Sequence, residues 1–395
     1  MTVNRRPDAT QYDIIVVGGG ISGLAAATWI LSRKPQIRVL VVEAGASHRE
    51  TDRHLRLNRA SEKLCAGLFH EFSELCGEYT DIEKHTLCYP NGTELCTPMR
   101  PFRMVPREIL HRLFRQTLAG LECDIFDNSR VNGLLRHREQ IVGVKVDPLG
   151  SMPINIRSRL VIGADGPRSR VRKETEPSMT PRLRRGVQQY VRSSRKLECA
   201  YTFLDVDASG YFSIVPYSHR NEPWAEIGWR CFGDRQVEPH SRFRYWLGDP
   251  RVRMLIDVSK CTGRPRNHTT NVAPLSRFDK PARMRPVAGP GYALVGEATG
   301  LAHPLTGEGL ELALQTAALI GELIDTHGPM GFIDETYTRQ VIGYIRTAYD
   351  LPNSKRLFSR PCLMPAFLRP TYLQILKLFY KRSGHFAPMR PQKAS

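Results

Sequence analysis

The sequence predicts an α/β fold, and three observations near its start predict it. A β-branched run at residues 12–17, YDIIVV, ends in the glycines of VVGGGISG. The next stretch, ISGLAAATWILSR, places Leu24, Ala27, Thr28 and Leu31 on one side of a helix. IRVLVVE (37–43) then reads as a second buried strand. Together they form a β-turn-α-β unit, which opens a Rossmann-type sheet.

Gly18, Gly20 and Gly23, with Ser22 among them, lie between that strand and helix, and Glu43 closes the next strand. Glycines at this spacing permit a tight turn, close approach of a pyrophosphate and close helix packing, while the carboxylate accepts from a ribose hydroxyl. Glycines serving only a turn would explain neither the acid nor its position. A dinucleotide site follows.

Further along, PREILHRLFRQTLAG (106–120) has the pattern of an amphipathic helix begun by Pro106 and stopped by Gly120. Short strands are expected at 141–147 and 159–166, then a β-rich aromatic stretch at 200–232, whose Trp224 and Trp229 read as sheet-packing side chains. A buried strand returns in GYALVGEATG (291–300). It leads into PLTGEGLELAL (304–314), a glycine turn before a helix whose first amides lack partners and attract negative charge. The last 65 residues are helical in pattern.

Composition bounds the function. With 395 residues, 41% hydrophobic and 24% charged, the chain is globular and long enough for two lobes. Lys+Arg 57 against Asp+Glu 39 gives +18, which suits an acidic partner. The cations concentrate in 167–196, at Arg168, Arg170, Arg172, Lys173, Arg182, Arg184, Arg185, Arg192, Arg195 and Lys196. A phosphorylated substrate or an anionic membrane surface fits them, and no nucleic-acid motif accompanies them. Nine cysteines without a C-x-x-C pair argue for a reduced, cytoplasmic setting and against a metal site. No secretory signal or membrane span is expected, although 361–382, apolar with interspersed cations, suits a helix lying peripherally on a membrane. Composition leaves the oligomeric state open.

Two further segments, VIGADGPRSRVR (161–172) and YALVGEATGLAHPLTGEGLELAL (292–314), resemble fingerprints of the FAD-dependent superfamily of aromatic hydroxylases, flavin halogenases and geranylgeranyl reductases. With the first glycine turn they span residues 12–325. The resemblance implies FAD and a Rossmann-type, aromatic hydroxylase-like FAD-binding domain over 11–185 and 273–330. It further implies an inserted β-sheet substrate domain at 186–272 and a helical C-terminal region at 331–395. Asp165, Gly166, Arg107 and Val131 match cofactor-contacting positions, as do Pro304, Gly307, Gly309 and Leu310 beside the flavin ring. Glu297 stands where the family usually has aspartate.

Within the superfamily, EKLCAGL (62–68) is similar to the K-x-C-G-G segment of geranylgeranyl reductases, with Cys65, Ala66 and Gly67 toward the flavin. YFSIVP (211–216) keeps Tyr211 and Pro216 of their Y-x-W-x-F-P signature, with Ser213 and Val215 for the bulky pair. Neither tryptophan of the halogenase W-x-W-x-I-P is present. The resemblance thus implies hydride transfer from reduced FAD to a carbon-carbon double bond of an isoprenoid chain. NADPH or reduced ferredoxin would be the electron donor, and Cys65, Tyr211 and His303 the candidate proton donors. A flavin hydroxylase of an apolar or aromatic substrate is the alternative, and a non-catalytic, membrane-associated flavoprotein a third.

Overall fold

The computed structural model describes residues 10–46, 54–69, 72, 82, 84–90, 92, 94–98, 102–177, 183–193, 196–205, 207–219, 222–231, 237–272, 286–302, 309–329 and 334–348. The strands in the first part of the chain are β1 (Gln11–Val17), β2 (Val39–Val42), β3 (His54–Asn58), β4 (Lys84–Cys88), β5 (Glu94–Pro98) and β6 (Phe102–Pro106). There follow β7 (Asp124–Phe126), β8 (Ser129–His137), β9 (Gln140–Pro148) and β10 (Ile154–Gly163). Next come β11 (Leu183–Arg192), β12 (Cys199–Asp205), β13 (Gly210–His219) and β14 (Glu222–Cys231). The last are β15 (Cys261–Asn271), β16 (Ala288–Gly289) and β17 (Tyr292–Leu294). The helices are α1 (Ile21–Arg33), α2 (Arg59–Ala66), α3 (Arg107–Gly120), α4 (Arg170–Thr175), α5 (Pro239–Leu247), α6 (Pro250–Leu255), α7 (Leu310–His327) and α8 (Asp334–Ala348).

The first sheet runs β16-β17-β10-β1-β2-β7, with β9 pairing to β10 and β8 to β9. From β17 to β7 its neighbours are parallel, with Ile14 opposite both Leu160 and Val39. Such strands are covered on both faces, which is why Ile14, Ile15 and Val16 are all buried. Helix α1 has the expected bounds but not the expected single apolar side: Ile21 and every residue from Gly23 to Leu31 are buried. It lies against α7, where a Cβ on Gly321 would come within 2.8 Å of the Trp29 Cβ, so the two helices meet backbone to side chain. Helix α3 begins one residue after Pro106 and also packs on α1.

The second sheet runs β15-β11-β14-β13-β12-β4-β5, antiparallel except where β12 pairs in parallel with β4. Its strands β4 and β5 come from residues 84–98, far upstream of the rest. One face packs Phe203, Phe212 and Trp229 against Phe243 and Trp246 of α5. Asp205 anchors that layer, accepting from Trp229 Nε1 at 2.7 Å, Trp246 Nε1 at 2.9 Å and Arg242 Nε at 2.9 Å. The opposite face carries Tyr190, Val215 and Tyr217, which pack with Phe102 and Met104 of the β3-β6 ribbon.

Candidate dinucleotide site

The chain leaves β1 at Gly18, whose φ of +106° few side chains tolerate, and whose Cβ would lie 2.6 Å from the Ala164 carbonyl oxygen. A Cβ on Gly23 would overlap the Gly18 carbonyl oxygen. These two glycines therefore let the turn fold onto itself and onto the end of β10. Gly20 is the N-cap of α1 and no side chain caps it, so the first-turn amides stay available to an anion. Arg107, at the start of α3, points Nη2 to within 3.6 Å of where a Gly20 Cβ would be.

Glu43 grips the same turn. Its Oε2 accepts from the Gly19 amide and its Oε1 from the Gly45 amide, each at 2.7 Å. Its backbone carbonyl receives the Ser129 amide at 2.9 Å, which brings the start of β8, and with it buried Val131, to this end of the sheet. Sequence reading missed His111, whose Nε2 lies 3.1 Å from the Gly19 carbonyl oxygen. Burial, with Arg107 and Arg115 nearby, holds this imidazole below the usual histidine range.

The two later fingerprints converge on the same edge. Asp165 accepts from the amides of Arg170 at 2.6 Å and Val171 at 3.2 Å through Oδ2, and Gly166 turns the chain at φ +78°. Burial raises the Asp165 carboxyl above the usual range. Arg172, buried behind it, donates to the carbonyls of Ala298 at 2.6 Å and Pro167 at 2.8 Å. It so ties the Asp165 turn to the 3-10 segment Gly296–Thr299. Gly296, at φ +57°, leaves no space for a side chain against Ser22, so the start of α1 abuts this segment. Glu297 lies beside Gly309, the N-cap of α7: a Gly309 Cβ would be 3.3 Å from the Glu297 Cγ.

Cys65 is buried on α2, while Ala66 and Gly67 at its end are exposed. The α2 N-cap, Asn58, accepts from the Ser61 amide at 2.9 Å and donates through Nδ2 to Glu311, one residue past Leu310 on α7. Glu311 also accepts from Tyr344 of α8 at 2.7 Å. Glu311, Asn58 and Tyr344 thus join three helices at the start of α7. His303, Pro304 and Gly307 lie outside the described residues, as do residues 361–382.

Tyr211 belongs to a different cluster, on the face of the second sheet that carries Val215 and Tyr217. The Arg184 guanidinium lies 6.0 Å from its ring centroid. Beside it, Arg230 donates to Ser213 Oγ and to Glu226, each at 2.9 Å. Ser213 is therefore an acceptor for a guanidinium, which a bulky aromatic could not be. The Trp224 and Trp229 readings differ in detail: Trp229 is fully buried beside Phe243 and Trp246, while Trp224 is partly buried on the opposite face, against Tyr217. Arg182 and Arg195 of the basic block lie outside the described residues. Arg170 pairs with Glu174, Arg172 with backbone carbonyls, Arg184 with the Cys231 carbonyl and Arg192 with Glu222, while Arg168, Lys173 and Arg185 are exposed.

The residues present fit an FAD. Gly18 and Gly23 let the turn close on itself, the space at Gly20 is bordered within 4 Å by the Arg107 guanidinium alone among the described residues, and the buried Asp165 Oδ1 has no hydrogen-bond partner among them, as an acceptor awaiting a hydroxyl would. Among the described residues no helix is long and apolar enough to cross a membrane.

Comparison with known proteins agrees. Digeranylgeranylglycerophospholipid reductase 1 of Methanococcoides burtonii is 27% identical over 333 residues, covering 79% of this chain and 74% of that protein. Digeranylgeranylglycerophospholipid reductase 2 of Methanopyrus kandleri is 26% identical over 327 residues, covering 79% and 76%. Among solved structures, a geranylgeranyl bacteriochlorophyll reductase-like protein of Thermoplasma acidophilum superposes with a TM-score of 0.63 at 16% identity, covering 96% of this chain and 93% of that one. The myxobacterial chondrochloren halogenase CndH reaches 0.67 at 16% identity, covering 94% and 90%. The family model described as FAD binding domain matches residues 11–324. The chain belongs to this FAD-binding family and is an FAD-dependent oxidoreductase of the fold that geranylgeranyl reductases and flavin halogenases share.

Proposed function

We propose that the protein reduces carbon-carbon double bonds of an isoprenoid chain, on a lipid of the geranylgeranyl type. The observation that carries this reading is the hydrogen bond between Asn58 and Glu311, which fixes the helix bearing Cys65 against the start of α7. The similarity along 79% of the chain to reductases of digeranylgeranylglycerophospholipids supports it.

FAD, when bound, supplies a hydride, and its electrons come from NADPH or reduced ferredoxin. The chain's own residues do the rest. Glu43 would hold the ribose end, the uncapped start of α1 with Arg107 would meet the pyrophosphate, and Asp165 and Glu297 would accept from the ribityl region. Gly309 and Leu310, at the positive end of α7, would hold the flavin end of the cofactor. Saturating a double bond also takes a proton, and Cys65, Tyr211 and His303 are the groups proposed to hold it. The lobes would be 11–185 with 273–330 for the cofactor and 186–272 for the substrate, joined by β4 and β5. The region 331–395 would meet an anionic membrane surface from which the lipid is drawn.

The test is to reduce the FAD-loaded protein anaerobically, add geranylgeranylated glycerophospholipids and weigh the products. A gain of two hydrogens per double bond is expected. A product that forms only with oxygen and gains an oxygen atom would make the protein a hydroxylase. An unchanged lipid with fully reduced protein would overturn the reading.

A further inference from the structure

His111 stands one helical turn along α3 from Arg107, and its Nε2 lies 3.1 Å from the Gly19 carbonyl oxygen. A carbonyl only accepts, so Nε2 carries the proton and donates. The amide of the same glycine donates to Glu43 Oε2 at 2.7 Å. Gly19 is therefore held at both ends, by α3 on one side and by the end of β2 on the other.

The position of that clamp matters because the peptide linking Gly19 to Gly20 has a glycine on each side. Such a peptide rotates between orientations at little steric cost. Its carbonyl and its amide point in opposite directions across the trans bond. Holding the Gly19 carbonyl toward α3 therefore aims the Gly20 amide the other way, at the uncapped start of α1. Rotated by half a turn, the same peptide would present a carbonyl where an anion requires a donor.

We infer that His111 is a positioning residue of the cofactor site: it holds the Gly19–Gly20 peptide in the orientation that offers the Gly20 amide to the FAD pyrophosphate. The inference rests on FAD occupying this turn. The charged groups around the imidazole are Arg107 and Arg115 on its own helix and Glu43 across the turn; burial and the two arginines lower its pKa, against the Gly19 bond and Glu43, which raise it. The clamp needs only a proton on Nε2, which the Gly19 carbonyl as its acceptor fixes.

The experiment is an FAD titration of the apoprotein at pH 7.5, followed by flavin fluorescence, alongside the melting temperature of each apoprotein. His111→Leu removes the donor and should weaken FAD binding about tenfold. His111→Gln keeps a donor and should stay within about threefold of the wild type. Both apoproteins should melt within about 2 °C of the wild type, because the clamp acts on the Gly20 amide that faces the cofactor and not on the core. Should His111→Leu fail to fold, His111→Met, apolar and more flexible, replaces it. FAD binding by the apolar variant within twofold of the wild type would overturn the inference. So would losses of affinity that track losses of apoprotein melting temperature in both variants, since that is a structural role. A wild-type chain that takes up no FAD would instead overturn the site itself.

Discussion

Arg172 donates to the Ala298 carbonyl at 2.6 Å, across 126 positions of sequence, and so fastens two fingerprint segments with one buried guanidinium. Arg172→Met would leave the carbonyls of Ala298 and Pro167 buried without their donor. A loss of about 3 kcal/mol in unfolding free energy is expected, read as a lower urea midpoint. FAD affinity should fall with it, because Glu297 sits on the segment released.

Gly23→Ala tests the turn. The added methyl would overlap the Gly18 carbonyl oxygen, which is backbone and cannot move aside without opening the turn. The variant should lose at least about 2 kcal/mol of stability and be purified without flavin colour. Gly120→Ala, where a Cβ meets nothing within 4 Å, is the control and should keep its flavin.

His85 gives a pH dependence. It is buried on β4 with Nε2 2.9 Å from Thr202 Oγ1, and burial followed by repulsion from Arg56 lowers its pKa to about 4. The unfolded chain takes up this proton near pH 6.5, so stability is complete above that pH and declines toward about 4. The loss by pH 4 should reach about 3 kcal/mol, measured by urea unfolding, and His85→Gln should flatten that part of the profile.

Ser213 stands where the resembled signature has a bulky side chain. Ser213→Trp would remove the acceptor of Arg230 and push a large ring onto the Arg230 and Glu226 pair. A destabilisation of about 2–3 kcal/mol is expected, seen as a lower melting temperature. Ser213→Thr keeps the hydroxyl and should restore most of it.

Much of the cofactor turn was legible in the sequence because its demands are local. Gly18 and Gly23 are needed where backbone meets backbone, and Glu43 ends a strand whose neighbour is fixed by the same unit. The bounds of α1 were equally plain, yet its burial on all sides was not, because α7, which covers it, arrives some three hundred residues later. His111, Arg172 and the Asn58 to Glu311 bond were invisible for the same reason: each meets a partner 92 to 253 positions away, and nothing in its own neighbourhood distinguishes it. Ser213 was readable as a departure from a pattern, but its task depended on Arg230 on the adjoining strand.

The parallel pairing of β4 with β12 sets an order on folding. Lys84 must wait for Cys199, and the chain between them supplies β7, β8, β9 and β10 of the other sheet. Closing so long a loop before its contacts reward it is slow, so the second sheet is completed only after the first has drawn its ends together. A fragment cut at residues 186–272 would carry β12 with an open edge in place of β4. It should be made as an aggregate, whereas the uncut chain matures as one cooperative unit.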